Sequence, residues 1–167
     1  MSRLKRWARE LLVLAILLAG VLWVMDSSRA PQAPLAFADQ PLHTLDGQEV
    51  TLNTLSQDRP LLVYFWASWC GICRFTTPTV AEMAQQGGNV IGIALRSGDD
   101  EKVQRYLQAK HYQMPLVNDP QGRLSANWQV SVTPTLVIID KGQVVSSTTG
   151  FTSGWGMKLR LWWAGYR

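Results

Sequence analysis

Apolar residues along this chain fall into three patterns: one long unbroken run, several short runs, and a stripe at helical spacing. The long run is Leu11 to Met25, fifteen residues without a charge. It is apolar on every face, unlike a surface helix of a soluble domain. Leu61-Leu62-Val63-Tyr64-Phe65-Trp66 is short and aromatic-rich, and predicts a buried strand. Val90 to Leu95 predicts a second central strand. Two pairs of short runs predict hairpins. Leu42 to Leu45 and Glu49 to Leu52 flank Asp46-Gly47, a strong turn signal. Leu136 to Ile139 and Val144 to Thr148 flank Asp140-Lys141-Gly142. Helices are predicted between these strands. One follows Trp66 and ends near Gly87-Gly88, a natural C-cap. Another opens at Asp99-Asp100-Glu101, whose carboxylates suit the positive end of the helix dipole, and runs through Ala109. After the turn Asp119-Pro120-Gln121-Gly122, Leu124 to Trp128 predicts a short helix. Trp155, Leu159, Trp162 and Trp163 fall at i, i+4, i+7 and i+8, and predict the core-facing stripe of a closing helix. Strands alternating with helices, plus two hairpins, predict an α/β fold: a mixed central sheet flanked by helices on both faces.

Charge divides the chain in two. The net charge is +4, but from Pro31 onward eleven Lys and Arg stand against ten Asp and Glu. The basic excess therefore belongs to the N-terminal flank, and there is no electrostatic case for a nucleic-acid partner. Arg3, Lys5, Arg6 and Arg9 precede the long apolar run, the arrangement shared by signal peptides and signal anchors. Fifteen residues rise about 22 Å, short of a hydrocarbon core about 30 Å thick. Trp7 and Trp23 near its ends and a snorkelling Arg9 argue for a span nonetheless. Cleavage signals are poor: Ser28-Arg29-Ala30 is followed by Pro31, and Ala36-Phe37-Ala38 lies far beyond the apolar run. We read residues 1–25 as a basic flank and uncleaved transmembrane anchor, with a cleaved signal peptide as the alternative. The positive-inside rule keeps the N-terminus cytoplasmic and exports the rest. Residues 26–35, rich in Pro, Ala and Ser, read as a linker, partly extended by its prolines. Residues 36–167 are enough for one domain.

The candidate chemistry sits in Trp69-Cys70-Gly71-Ile72-Cys73, which holds the only two cysteines. Their spacing, between a predicted strand and a predicted helix, puts both sulfurs at a helix start, within reach of a disulfide. Unpaired N–H groups and the helix dipole favour thiolate there, so Cys70 is the candidate nucleophile with a lowered pKa. Cys73 is the candidate resolving thiol. A zinc site needs four ligands, and His43 and His111 do not stand at a ligand spacing from the pair. A purely structural disulfide is the other alternative. We read His43 and His111 as surface or turn residues, Met83 and Met114 as core filler rather than a copper thioether site, and Glu82 as a solvated helix residue. Trp69 reads as a wall of a partner-binding surface, and Trp155, Trp162 and Trp163 as core.

Phe65-Trp66-Ala67-Ser68-Trp69-Cys70-Gly71-Ile72-Cys73 resembles the active site of thioredoxin-like proteins. Pro78 falls where that family kinks its active-site helix, and Val132-Thr133-Pro134-Thr135 resembles its cis-proline loop. The likeness covers roughly residues 36 to 164 and is strongest to membrane-tethered periplasmic members, the cytochrome c-biogenesis and copper-sensitivity-suppressor types. It implies a thioredoxin-like fold, Cys70 and Cys73 as catalytic residues, and Trp69, Gly71, Ile72, Thr133 and Pro134 as partner-binding residues. Thr133 would pair its backbone with the substrate, and Pro134 would pack against the sulfurs. One position departs from thioredoxin: its buried acid on the strand before the motif is here Tyr64, a poor proton acceptor at neutral pH. The group that deprotonates Cys73 is not identifiable from sequence.

The resemblance implies a thiol-disulfide oxidoreductase of the inner membrane, single-pass through residues 11–25, with its C-terminal domain in the periplasm. Its expected partners are exported proteins with oxidised cysteines and a membrane electron donor. No cofactor and no bound metal is expected. We favour action as a reductant, because that compartment already supplies oxidising power. Two alternatives stand beside it: a thiol oxidase, and a module holding copper(I) on Cys70 and Cys73.

Overall fold

The computed structural model of the chain describes residues 2–166; the outer limits of the two predicted segments, Met1 and Arg167, lie outside it. The chain divides into two units, the first ending at Ala30 and the second beginning at Pro31. The first is one helix, α1 (Ser2–Ser28). Its stretch Lys5–Met25, 21 residues, is long and apolar enough to cross a membrane. At 1.5 Å per residue that stretch rises about 32 Å, longer than the uncharged run alone. Its apolar side chains are exposed, and Arg6 pairs with Glu10 one turn on, Nε to Oε1 3.3 Å.

The second unit carries β1 (Leu42–His43), β2 (Glu49–Val50), α2 (Leu52–Ser56), β3 (Leu61–Trp66), α3 (Cys73–Gln85), β4 (Val90–Leu95), α4 (Asp100–Lys110), β5 (Leu116–Asp119), α5 (Arg123–Asn127), β6 (Thr135–Asp140), β7 (Gln143–Thr149) and α6 (Gly154–Ala164). Five strands form the central sheet in the order β5-β4-β3-β6-β7. β3, β4 and β5 run parallel, while β6 and β7 are antiparallel to their neighbours. The pairing of β6 with β7 shifts register between Ile138 and Ile139. β1 and β2 make a separate hairpin around Asp46-Gly47, docked on β5 through the Leu45 N–H to the Leu116 carbonyl at 2.8 Å. This is the thioredoxin-like α/β fold.

β3 is apolar at every position because both of its faces are covered. Leu62, Tyr64 and Trp66 point to one side, against Cys73, Val80 and Met83 of α3, Val103 and Leu107 of α4, and Met157 and Ala164 of α6. Leu61, Val63 and Phe65 point to the other, where Leu52, Ile91, Ile93, Val137, Ile139 and Trp128 close the second core. The segment read as linker is helical as far as Ser28. Its Gln32 is held by the domain, the N–H donating to the Trp128 carbonyl at 3.0 Å, and just beyond the linker Phe37 meets Trp128 edge-on at 4.9 Å.

The closing helix corrects an expectation. Trp155, Leu159, Trp162 and Trp163 do not face the core; they are between 58% and 86% exposed. The buried face of α6 is the slimmer stripe of Met157 and Ala164, with Leu161 partly buried. Small side chains let the helix lie close: a Cβ at Gly154 would come within 2.9 Å of Thr79 on α3. α6 is apolar on two sides, and packing takes the side that fits the space beneath.

Candidate active site

β3 runs straight into the site. Beyond Trp66, buried Ala67 accepts a hydrogen bond from the Cys70 N–H at 3.2 Å, closing the turn that carries Ser68 and Trp69. The helix begins later than expected: Ile72 is the N-cap and Cys73 the first residue of α3, so Cys70 lies just ahead of the helix. Cys70 and Cys73 are joined in a disulfide with Cα atoms 5.3 Å apart. The Cys73 N–H donates to Cys70 Sγ at 3.2 Å. That bond delivers one of the helix's unpaired amides to the outer sulfur, and in the dithiol state it stabilises a thiolate there. Cys70 is 7% exposed and Cys73 2%, so Cys73 is the more enclosed of the two.

The loop before β6 closes over the pair. The Thr133–Pro134 peptide is cis, and the Thr133 carbonyl oxygen lies 3.4 Å from Cys70 Sγ. Thr133 is half-buried and Pro134 buried. Of the predicted site residues, the structure thus brings Cys70 into contact with both Cys73 and Thr133, and Pro134, next in the chain, is buried. Trp69, Gly71 and Ile72 form the outer rim. Trp69 is 61% exposed, Ile72 is exposed, and a Cβ built on Gly71 would meet nothing within 4 Å. Trp69 is held by its Nε1–H, which donates to the Arg96 carbonyl at 3.0 Å.

Several contributors escaped sequence reasoning. Buried Ser97 accepts the Ser68 N–H at 2.9 Å and donates to the Leu95 carbonyl at 3.2 Å, tying the site turn to the end of β4. Arg96 supplies its backbone carbonyl from a left-handed conformation, φ 45°. Phe75 and Phe151 add two exposed apolar side chains, the latter placed by the Gly150 N–H donating to the Pro134 carbonyl at 2.8 Å. Phe75 was findable, as a large apolar residue in the first turn of the reactive helix. Ser97 left no signal, because it acts through a contact distant in sequence.

Tyr64 is buried beneath the site, its hydroxyl 2.8 Å from Thr77 Oγ1. Burial pushes its phenol pKa far up, against a smaller lowering by the Thr77 hydrogen bond. It is neutral at any physiological pH and cannot take a proton from Cys73. Asp119 is the one buried carboxylate among the described residues, and it accepts the N–H groups of Leu124 and Ser125 at the start of α5. Glu82 is exposed and accepts from Gln86, as expected of a solvated helix residue. His43 and His111 lie at the surface, His111 as the left-handed C-cap of α4. Met83 is buried in the core and Met114 packs on its edge. Among the described residues, no group of three or more His, Cys, Asp or Glu could hold a metal ion.

Residues 29–148 match the AhpC/TSA family. The chain belongs to that family. Within it, the chain is similar to a thioredoxin-like protein of Haemophilus influenzae, 38% identical over 162 residues, 97% of each chain. It is 29% identical to the thiol:disulfide interchange protein DsbE of Pseudomonas aeruginosa, over 80% of this chain and 76% of that one. Among solved structures it resembles the exposed lipoprotein thioredoxin Etrx1 of Streptococcus pneumoniae, with a TM-score of 0.64 and 27% identity over 74% of this chain and 98% of that one. This AhpC/TSA member is a thiol-disulfide oxidoreductase of the DsbE and thioredoxin-like type, and Cys70-Gly71-Ile72-Cys73 is its Cys-x-x-Cys motif.

Proposed function

We propose that the protein is a membrane-tethered reductant of exported proteins, with α1 spanning the inner membrane through residues 11–25 and the thioredoxin-like domain in the periplasm. Cys70 is the nucleophile. Its thiolate attacks one sulfur of a partner disulfide, the partner S–S bond breaks, and the departing partner thiolate takes up a proton. The Cys73 thiolate then attacks Cys70 Sγ, forms the disulfide seen in the structure, and releases the second partner sulfur. Two electrons pass to the partner, and a membrane dithiol donor returns two to the Cys70–Cys73 pair. Trp69, Gly71, Ile72, Thr133 and Pro134 receive the partner segment. The resemblance of its sequence to the copper-sensitivity-suppressor type makes an exported protein linked to metal stress the favoured partner.

The observation that carries the reading is the contact set around Cys70 Sγ: the Cys73 N–H on one side and the Thr133 carbonyl on the other. One sulfur is stabilised as thiolate and lies beside a backbone edge that an extended partner can pair with, while the other is enclosed. Thiol trapping in intact cells tests the direction. A reductant should be found mostly as the dithiol, with Cys70→Ser abolishing exchange and Cys73→Ser accumulating mixed disulfides. A pair found almost wholly oxidised while its membrane donor is present would make it an oxidase.

A further inference from the structure

The exposed face of α6 has no part in the chemistry at Cys70. Trp155, Leu159, Trp162, Trp163 and Tyr166 stand at i, i+4, i+7, i+8 and i+11, and all five are exposed. The Trp162 ring lies 5.3 Å from that of Tyr166 and 6.4 Å from that of Trp163. Leu159, Trp162 and Trp163 also wall a groove of about 510 Å³ that reaches Val145 and Ala164. A soluble monomer rarely leaves so many large apolar side chains together in water, so the face points to something that covers it.

Charge narrows what that is. Along α6 and its flanks, from Gly150 to Arg167, the chain has no Asp or Glu and three basic residues, Lys158, Arg160 and Arg167. Lys158 is exposed on α6. Arg160 is half-buried, its Nη1–H donating to Ser146 Oγ at 2.9 Å. Tryptophan and tyrosine join an apolar ring to a polar tip, and they concentrate where lipid headgroups meet hydrocarbon. A helix with Trp and Leu along one side and basic residues beside them suits that boundary. A second copy of the chain suits it less, because a two-fold contact would set like charges against each other.

We propose that this face of α6 docks on an anionic lipid bilayer, with Trp155, Trp162, Trp163 and Tyr166 in the headgroup boundary and Lys158 on lipid phosphates. The proposal rests on the reading of α1 as a membrane span, since a tether holds the face at high effective concentration beside a bilayer. Docking adds what the span alone does not supply, a fixed side of the domain turned to the membrane. Exchange is then directed to partners that lie at the membrane surface.

The test uses the full chain at one copy per nanodisc, footprinted by hydroxyl radicals. Discs of phosphatidylglycerol with phosphatidylethanolamine are compared with discs of phosphatidylcholine alone. The expected result is a several-fold loss of oxidation at Trp155, Trp162, Trp163 and Tyr166 in the anionic discs, with exposed Trp69 unchanged. Lys158→Glu should restore oxidation there while disulfide exchange in solution keeps its rate, which shows that the variant is folded. Equal oxidation in the two kinds of disc overturns the docking and leaves the anchor reading standing. Protection that survives Lys158→Glu overturns the assignment to anionic lipid. A second preparation is loaded with two copies per disc, and protection seen there but not at one copy assigns the face to self-association and overturns it equally. A chain that does not enter discs at all overturns the anchor reading and this proposal with it.

Discussion

Tyr64 occupies the position where thioredoxin keeps a buried acid, and its environment makes it a structural residue. Its phenol is held neutral by burial and bonded to Thr77. Tyr64→Phe should leave the exchange rate at pH 7 unchanged, while stranding a buried hydroxyl at a cost of about 1–3 kcal/mol by urea unfolding. The pH dependence has a definite sign. The unfolded phenol ionises near pH 10, about where a free tyrosine does, and the folded one only well above it. The unfolded state therefore sheds its proton first, and Tyr64 contributes a loss of stability that begins as pH rises past about 10. Titrating stability between neutral and strongly alkaline pH should show a shallower alkaline fall in Tyr64→Phe. Ser97 makes the opposite case. Ser97→Ala would leave the Ser68 N–H without its acceptor, and we expect a similar loss of stability together with slower exchange, because the turn carrying Trp69 and Cys70 loses its tie to β4. Residue identity made Cys70, Cys73, Thr133 and Pro134 legible in the sequence, since their chemistry is written in short motifs. Ser97 was not legible, because a serine after a strand has no distinctive pattern and its role depends on a contact 29 positions away.

Among the elements, local signals read well where one residue sets the geometry. Asp99 caps α4, its Oδ1 accepting the Lys102 N–H at 2.8 Å. Asp99→Ala should cost about 1 kcal/mol of stability in urea melts and leave the redox chemistry alone. The strands Leu61–Trp66 and Val90–Leu95 lie where their apolar runs predicted. β5 and α2 were not foreseen. Leu116-Val117 is too short an apolar run to announce a strand, and it becomes one by pairing with β4. α2 is a single short turn capped by Thr51. The orientation of α6 was misread for a different reason. Periodicity reveals a stripe but not which side meets the sheet, and in α6 the larger residues stayed outside. α3 begins three residues after Cys70 rather than at it. What the helix start supplies to the outer sulfur is one amide, the Cys73 N–H.

For the whole molecule, the division at Ala30 and Pro31 sets a clean expectation. A chain starting at Pro31 should unfold at the same temperature as the full chain and remain in the soluble fraction, while the full chain sediments with membranes. Starting after Phe37 should be worse, because the Gln32 bond to Trp128 and the Phe37 ring contact are both lost. The fall should be on the order of 2 kcal/mol, the scale of one buried aromatic. That part of the chain read as linker, since Pro and Ala content shows a lack of helix or strand but not whether the backbone is docked. The sheet ends on one side at β7, and under the proposed membrane anchoring its register shift has a consequence. Chains anchored in a bilayer diffuse in two dimensions and meet edge to edge far more often than free ones. A flat terminal strand would then recruit its neighbours into a growing ribbon. β7 reads Gln-Val-Val-Ser-Ser-Thr-Thr and breaks step with β6 beside Ile138 and Ile139. An irregular, hydroxyl-rich border of that kind offers a poor template to another strand, which keeps crowded copies separate and their cysteines open to partners.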